Sequence, residues 1–354
     1  MRIGIPKEIK IREGRVALIP PAAAELVRHG HEVFLQTGAG VASGYADADY
    51  TRLGVKILPD AAAVYQRAQM VLKVKEPIAA EYDLLRKDHI LFSFLHLAAV
   101  PELAKALVER GLTAVAFETV AEKGRLPLLA PMSDIAGRLA VQIGATLLHS
   151  YRGGRGILLG GMPAAERGHV VVLGAGVAGG NAAAVVAVLG ARVTVFAQHR
   201  DSLERMHRLG SNVTALPSYP DLVEQAVRDA DLLIGAVLIP GAKAPRLVSH
   251  ALVSQMKPGS VIVDISVDQG GCIETTRPTD YDNPTYVVDG VIHFAVTNMP
   301  GAVPRTASQA LSTALLPYAL RLAAPDGLAD TVLASGINVR AGQLVHPVLR
   351  GHVH

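Results

Sequence analysis

Residues 170–181 read VVVLGAGVAGGN, and the fold of the whole chain turns on this stretch. A β-branched run at 170–173 leads into Gly174, Gly176 and Gly179, and a small-residue helix is expected over 177–189. G-x-G-x-x-G set between a strand and a helix is a dinucleotide fingerprint. Gly174 permits the tight turn, Gly176 lets backbone approach a pyrophosphate, and Gly179 lets the helix close on the strand. The unpaired N–H groups of the helix start then face the phosphates. Residues 170–191 form 22 positions without a charge, enough in length to cross a bilayer. Five glycines, Asn181 and the strand–turn–helix punctuation argue instead for a buried crossover unit.

The strand that answers the fingerprint, 192–196, runs into Ala197, Gln198, His199 and Arg200. NAD enzymes usually carry an Asp or Glu about 20 residues past the glycines to bind the adenosine ribose. None stands here. Arg200 or His199 could pair with a 2′-phosphate, which keeps NADP open. Alternatively Gln198 or a backbone group holds the ribose and NAD binds with less selectivity.

Working outward, short β-rich runs at 2–5, 32–35, 70–74, 90–94 and 113–116 alternate with helical stretches. A second series follows at 170–173, 192–196, 231–236, 261–265 and 286–288. The pattern predicts an α/β protein of two open-sheet domains, the second a Rossmann dinucleotide-binding domain inserted into the first. The expected boundaries are 1–130 with 307–354 for the substrate domain and 131–306 for the inserted one. Between the series, Ile135, Leu139, Ile143 and Leu147 predict an amphipathic helix over 132–151 with Ser133 as its N-cap. Another helix is expected over 308–323, interrupted or kinked at Pro317. Ligands in open α/β sheets bind outside the carboxyl ends of the strands, so an interdomain cleft is the expected active site.

Composition narrows the class. A chain of 354 residues, half of them hydrophobic, can build two cores. Its net charge of +3 arises without a basic block, which argues against nucleic acid or an anionic membrane as partner. Cys272 stands alone, so no intrachain disulfide forms, and a buried small hydrophobe is expected there rather than a nucleophile. MRIGIPKE at the start lacks the apolar region of a signal peptide, and a cytoplasmic protein is expected.

A nicotinamide enzyme needs charge to hold its substrate and a group that moves protons, and such residues belong at strand ends. LKVKEP at 72–77 places Lys75 at one strand end, SFLHLA at 93–98 places His96 at the next, and Arg15 follows the first strand. In the second domain VDISVDQGG offers Asp264, suited to capping, and Asp268, suited to projecting from the strand end. Asn298 and Met299 occupy a loop after a further strand. Each has a plainer role open to it: His96 as a core histidine, Lys75 as a surface charge, Arg15 paired with Glu13 or Glu8.

The motifs MRIGIPKEIK, EGRVAL, TGAG, LKVKEP, FLHLA, LPLLAPMSDIAGRLA, GGRG, VVVLGAGVAG, DLLIGAVLIPGAKAP, VDISVDQGGC and TNMPGAVPRT occur in order up to about residue 323. Together they resemble the alanine dehydrogenase family. The resemblance implies reversible oxidative deamination of L-alanine to pyruvate and ammonium, with a nicotinamide cofactor, by a two-domain subunit of a homo-oligomer, usually a hexamer. It implies Arg15 and Lys75 as substrate ligands and His96 and Asp268 as catalytic residues. It implies cofactor contacts at Ser133, Val177, Ala178, Ser218, Val237, Leu238, Ile265, Ser266, Val267, Asp268, Val296, Thr297, Asn298 and Met299, besides the three fingerprint glycines. Ala197 falls where the family has an Asp on the ribose, which leaves NAD against NADP undecided. Arg321 stands where some members carry an acidic metal ligand, so no metal is expected.

In the implied chemistry Arg15 grips a carboxylate bidentately and Lys75 supplies a point charge. His96 exchanges protons near neutral pH and Asp268 orients the amine or water. Two other readings bear on the same residues. An opine-type or saccharopine dehydrogenase would act on lysine and 2-oxoglutarate, and a non-catalytic dinucleotide sensor would bind cofactor without alanine-dependent reduction.

Overall fold

The computed structural model describes residues 1–237 and 244–349; the expected cofactor position Leu238 lies outside the described residues. The chain divides into two compact units: Met1–Met132 with the described residues from Gly301 onward, and Ser133–Pro300.

The first unit begins β1 (Arg2–Ile5), α1 (Pro20–Arg28), β2 (Glu32–Gln36), α2 (Asp47–Thr51), β3 (Lys56–Leu58), α3 (Ala61–Arg67), β4 (Met70–Leu72), β5 (Ile90–Ser93), α4 (Pro101–Arg110) and β6 (Thr113–Ala116). Local chemistry sets the helix ends. Pro20 and Pro101 open α1 and α4, where a missing N–H costs nothing, and Gly111 closes α4 in the left-handed region at φ 73°. Asp60 caps α3 by accepting from the Ala63 N–H at 2.8 Å. β4 stops at Leu72, two residues short of the expected end, because the Val74 N–H turns to the Glu8 carboxylate at 2.6 Å.

A long helix, α5 (Ala130–Leu147), carries the chain into the second unit. It starts earlier than expected, which corrects the reading of Ser133: Pro131 is accommodated in the first turn, so Ser133 is a residue of the helix and not its N-cap.

The second unit holds β7 (His169–Leu173), α6 (Val177–Val188), β8 (Arg192–Ala197), α7 (Arg200–His207), β9 (Val213–Pro217), α8 (Pro220–Arg228), β10 (Leu232–Gly235), α9 (His250–Val253), β11 (Val261–Asp264), β12 (Thr285–Val288) and β13 (Val291–Phe294). The sheet order is β12-β13-β11-β10-β7-β8-β9, with β12 antiparallel and the other strands parallel. β7 and β10 are buried along their whole length, as continuous apolar strands covered on both faces must be. β13 is a strand the sequence pattern did not announce. It is joined to β12 by Asp289 and Gly290, both at positive φ (48° and 79°), a two-residue hairpin turn that an Asp-Gly pair favours.

The chain then returns to the first unit as α10 (Pro304–Ala323), α11 (Thr331–Ala334), β14 (Ile337–Arg340) and β15 (Gln343–Leu344). α10 runs on across Pro317 without an interruption, since burial of Leu311, Leu315, Tyr318, Ala319 and Leu322 along it offsets the lost backbone hydrogen bond. The sheet of this unit has the order β15-β14-β6-β5-β4-β1-β2-β3, parallel except that β14 runs against both its neighbours, β6 and β15. Neither terminal strand is expected from the sequence pattern. Among the described residues no helix is long and apolar enough to cross a membrane.

Candidate active site

In the first unit the candidate charged groups emerge from neighbouring strand ends. β1 pairs with β4 and β4 with β5, all parallel, so the segment after each strand leaves the sheet on the same side. The ladder extends past β4 and β5, with Lys73 N–H donating to the Phe92 carbonyl and Phe94 N–H to the Val74 carbonyl, both at 3.2 Å. One residue further lies Lys75, and two further lies His96. Glu76 registers both. Burial pushes its carboxyl up, but Lys75, the ammonium of Lys10 that donates to it, and His96 outweigh burial and hold it below the usual range.

Arg15 sits on the loop after β1, 2% exposed, in the ion pair with Glu13 that its neighbourhood in sequence allowed. Its Nε donates to Glu13 Oε1 at 2.7 Å, the Arg15 N–H to the same oxygen at 3.0 Å, and Nη1 approaches the Met132 sulfur at 3.1 Å. These contacts set the plane of the guanidinium. The loop is fastened from α10: Ser308 Oγ accepts from the Val16 N–H at 3.0 Å and Ser312 Oγ from the Ile19 N–H at 2.9 Å. Met132, Ser308 and Ser312 carry no signal in the sequence as site residues, because their partners lie 117, 292 and 293 residues away.

Beneath the strand end lies a second charged cluster. Lys73, 1% exposed, reaches Glu81 Oε1 at 2.7 Å and Glu8 Oε2 at 3.3 Å, and the Tyr65 hydroxyl donates to Glu81 at 3.0 Å. Burial alone would lower the Lys73 ammonium, yet Glu8 and Glu81 hold it above its ordinary range. Burial raises the Glu8 carboxyl against the pull of Lys73. Buried charge of this kind survives only when paired and hydrogen-bonded.

His96 is neither a core residue nor a surface one. Its side chain is 38% exposed, its ring stacks on Phe94 (centroids 5.8 Å apart, planes 3° apart), and its backbone sits at φ 49°. A non-glycine residue in the left-handed region is uncommon and held there by its surroundings.

The second unit gathers the other candidates at the carboxyl ends of its parallel strands. β7 is flanked by β8 on one side and β10 on the other, so the strand order reverses at β7, where open sheets bind their ligands. Gly174, at φ 101°, would bring a Cβ to 2.5 Å from the Ala236 carbonyl oxygen, and Gly179 would bring one to 1.9 Å from the Gly174 carbonyl oxygen. Gly176, the N-cap of α6, faces open space, with nothing within 4 Å of a Cβ built there. Two glycines thus serve close packing and the third leaves a cradle, an arrangement that fits a pyrophosphate at the helix start. Val177 and Ala178 form the first turn of α6, and a Cβ on Gly137 of α5, one turn past Ser133, would meet the Ala178 carbonyl oxygen at 2.1 Å. Gly137 therefore lets α5 pack closely on the start of α6, with Ser133 one turn earlier in α5.

Ala197 ends β8, 6% exposed, and its carbonyl accepts from the Ser218 N–H at 3.2 Å, so Ser218 at the end of β9 stands next to it. Arg200 is exposed and paired with Glu204 at 2.9 Å, whereas Arg205 donates to the Ala175 carbonyl inside the fingerprint loop. Val237 N–H donates to Ser266 Oγ at 2.9 Å, linking the end of β10 to the turn Ile265–Gln269 that carries Val267 and the exposed Asp268. That turn hangs on Asp264, whose buried carboxylate accepts from the N–H groups of Ser266 (2.9 Å) and Cys272 (3.1 Å). Cys272 is buried, as expected of a small hydrophobe, and burial raises its thiol. Beyond β13 come Val296, Thr297, Asn298 at φ 61°, and Met299, whose carbonyl accepts from the Tyr281 hydroxyl at 3.0 Å. Arg321, in α10, is engaged by Asp330 at 2.8 Å and Glu122 at 3.3 Å.

The family description "Alanine dehydrogenase/PNT, N-terminal domain" matches residues 4–136 and "Alanine dehydrogenase/PNT, C-terminal domain" matches residues 140–347. Alanine dehydrogenase of Bacillus subtilis (strain 168) is 51% identical over 352 residues, covering 98% of this chain and 93% of the relative. That of Mycobacterium tuberculosis (strain H37Rv) is 50% identical, covering 98% and 95%. A solved structure of an L-alanine dehydrogenase superposes with a TM-score of 0.95 at 52% identity, covering 99% of this chain and 98% of that one. The crystal structure of transhydrogenase from Sinorhizobium meliloti follows the same fold with a TM-score of 0.85 at 28% identity, covering 98% and 99%. With both of its units matched and relatives at half identity along nearly its full length, the chain belongs to the alanine dehydrogenase/PNT family.

Proposed function

We propose that this chain catalyses the reversible oxidative deamination of L-alanine to pyruvate and ammonium, with Arg15 and Lys75 as substrate ligands and His96 and Asp268 as catalytic residues. The observation that carries this reading is the convergence of Lys75 and His96 from adjacent parallel strand ends, with Arg15 on the loop of the next strand. Two cations suit a small carboxylate with an adjacent carbonyl or amine. The names of the relatives, alanine dehydrogenase at about half identity, favour alanine over a larger opine-type substrate.

Arg15, its plane set by Glu13, takes the substrate carboxylate, and Lys75 takes the carboxylate or the developing carbonyl oxygen. Holding both ends orients Cα and turns the hydride step into a near-unimolecular one. Gly174, Gly176, Gly179, Val177, Ala178, Val237 and the 265–268 and 296–299 loops would hold a nicotinamide dinucleotide, which would supply the hydride acceptor. His96 then exchanges protons with the water that adds to the substrate imine and with the resulting carbinolamine. Asp268, exposed at the end of its strand, orients the amine or the water.

NAD is the cofactor the family supports, and this chain's own residues leave room for NADP. Ala197 removes the repulsion an acid would exert on a 2′-phosphate, and the exposed Arg200–Glu204 pair is weak enough to be exchanged for one. A homo-oligomer, hexameric by resemblance, completes the proposal.

Initial rates of alanine oxidation in His96→Ala, Asp268→Ala and Arg15→Ala test the roles. The first two variants should lose roughly 10² or more in kcat, the usual share of general acid–base catalysis. Arg15→Ala should raise KM for alanine and pyruvate with cofactor affinity unchanged. Near-normal turnover in folded His96→Ala and Asp268→Ala would sink the assignment.

A further inference from the structure

We infer that Glu118 is the positioning residue of His96: its carboxylate both fixes the backbone that presents the imidazole and faces the ring with a negative charge. The inference rests on the role proposed for His96. Glu118 lies in the turn Phe117–Thr119 directly after β6, the strand paired with β5, from which His96 emerges. Its Oε1 accepts the His96 N–H at 2.6 Å, and its two oxygens accept the Leu95 N–H at 3.3 and 3.2 Å. The same Oε1 stands 4.0 Å from His96 Nδ1. One carboxylate therefore binds two successive peptide groups and faces the ring they carry.

The arrangement is specific in two respects. His96 occupies φ 49°, a backbone state that needs an outside hold, and these two N–H bonds supply it. The Glu118 side chain is 15% exposed while His96 is 38% exposed, so the acid is set behind the ring and the ring faces outward. Burial pushes His346 below its ordinary range against the pull of Glu118. An acid 4.0 Å from Nδ1 attracts that side of the ring electrostatically and leaves the opposite ring nitrogen turned away from it.

Two substitutions separate the hold on the backbone from the charge on the ring. Glu118→Gln keeps an acceptor oxygen for the N–H groups and removes the charge; Glu118→Ala removes both. In Glu118→Gln we expect kcat for alanine oxidation to fall about ten-fold, the size of losing one charge-assisted contact. KM for alanine and for NAD should stay within about two-fold, and Tm within about 2 °C. Glu118→Ala should lose more activity and also stability. In a His96→Ala background Glu118→Gln should add no further loss, because a residue acting through another is silent once that other is gone. Wild-type kcat in Glu118→Gln, a matching loss of activity with Tm down by more than about 5 °C, or an additive loss in the His96→Ala background each assigns Glu118 a structural role and overturns the inference. If His96→Ala itself retains turnover, the proposed function fails first, and the two failures are told apart.

Discussion

Exchanging two glycines of the same fingerprint for alanine should produce opposite phenotypes. At Gly179 a Cβ would stand 1.9 Å from the Gly174 carbonyl oxygen and 3.2 Å from the Ala236 Cβ, on three elements that are packed rigidly together. The carbonyl is backbone, so α6 itself must move by more than an ångström. Overpacking of this severity costs about 3 kcal/mol, against which alanine's better helix propensity returns about 1 kcal/mol. The net of about 2 kcal/mol in a unit of this size lowers Tm by about 4–8 °C. At Gly176 nothing lies within 4 Å of the new methyl and the backbone is at φ −69°, so Gly176→Ala should leave the Tm of the cofactor-free protein within about 1–2 °C. Its methyl enters the cradle instead and pushes a pyrophosphate off the N–H groups of α6. Loss of one charge-assisted hydrogen bond there weakens NADH binding about ten-fold or more. Differential scanning fluorimetry without cofactor and NADH titration by fluorescence read the two effects separately. A Gly176→Ala protein that is destabilised without cofactor yet binds NADH normally would refute the assignment of the two glycines.

Lys73→Met leaves Glu81 and Glu8 buried without their cation, a loss of about 3–5 kcal/mol that should lower the Tm of the first unit by roughly 10 °C; an unchanged Tm would show the cluster to be hydrated rather than buried. His89, His169 and His293 are nearly inaccessible and held below the ordinary histidine range, first by burial and, for His89 and His169, also by Arg86 and Arg192. Below about pH 6.5 the unfolded chain takes up protons that the folded chain refuses, so stability rises with pH there and is lost on acidification, by up to about 1.4 kcal/mol per pH unit for each group. Equal Tm at pH 7.5 and 5.5 would contradict it. Ser308→Ala strips the Val16 N–H of its acceptor and should raise KM for pyruvate while leaving NADH affinity intact, measured by steady-state kinetics and titration; an effect on NADH alone would detach this serine from the Arg15 loop. Pyruvate amination with NADH and NADPH side by side, in wild type and Ala197→Asp, should show the variant turning toward NADH; an unchanged ratio would move selectivity to the neighbouring loop residues.

Local signals carried much of this protein. The glycine spacing, the β-branched run before it and the strand–helix alternation are short-range properties, so 170–181 announced a dinucleotide unit and the two series announced two parallel sheets. Strand ends are also local, which is why Lys75, His96, Arg15 and Asp268 stand out as candidates from residue type and position. The Asp-Gly pair at 289–290 is an equally local hairpin signal, and it marks β13, which the strand pattern alone does not reveal. What tertiary structure alone decided was which of these groups meet. Glu118 comes to His96 through the pairing of β6 with β5, Ser308 reaches Val16 across 292 positions, and Gly137 of α5 is brought against Ala178 of α6. Periodicity reports the face a residue occupies and composition reports its chemistry, but neither encodes a partner distant in the chain. That choice belongs to the packing of helices on sheets, where a missing Cβ at Gly137 or Gly179 sets how closely two backbones approach.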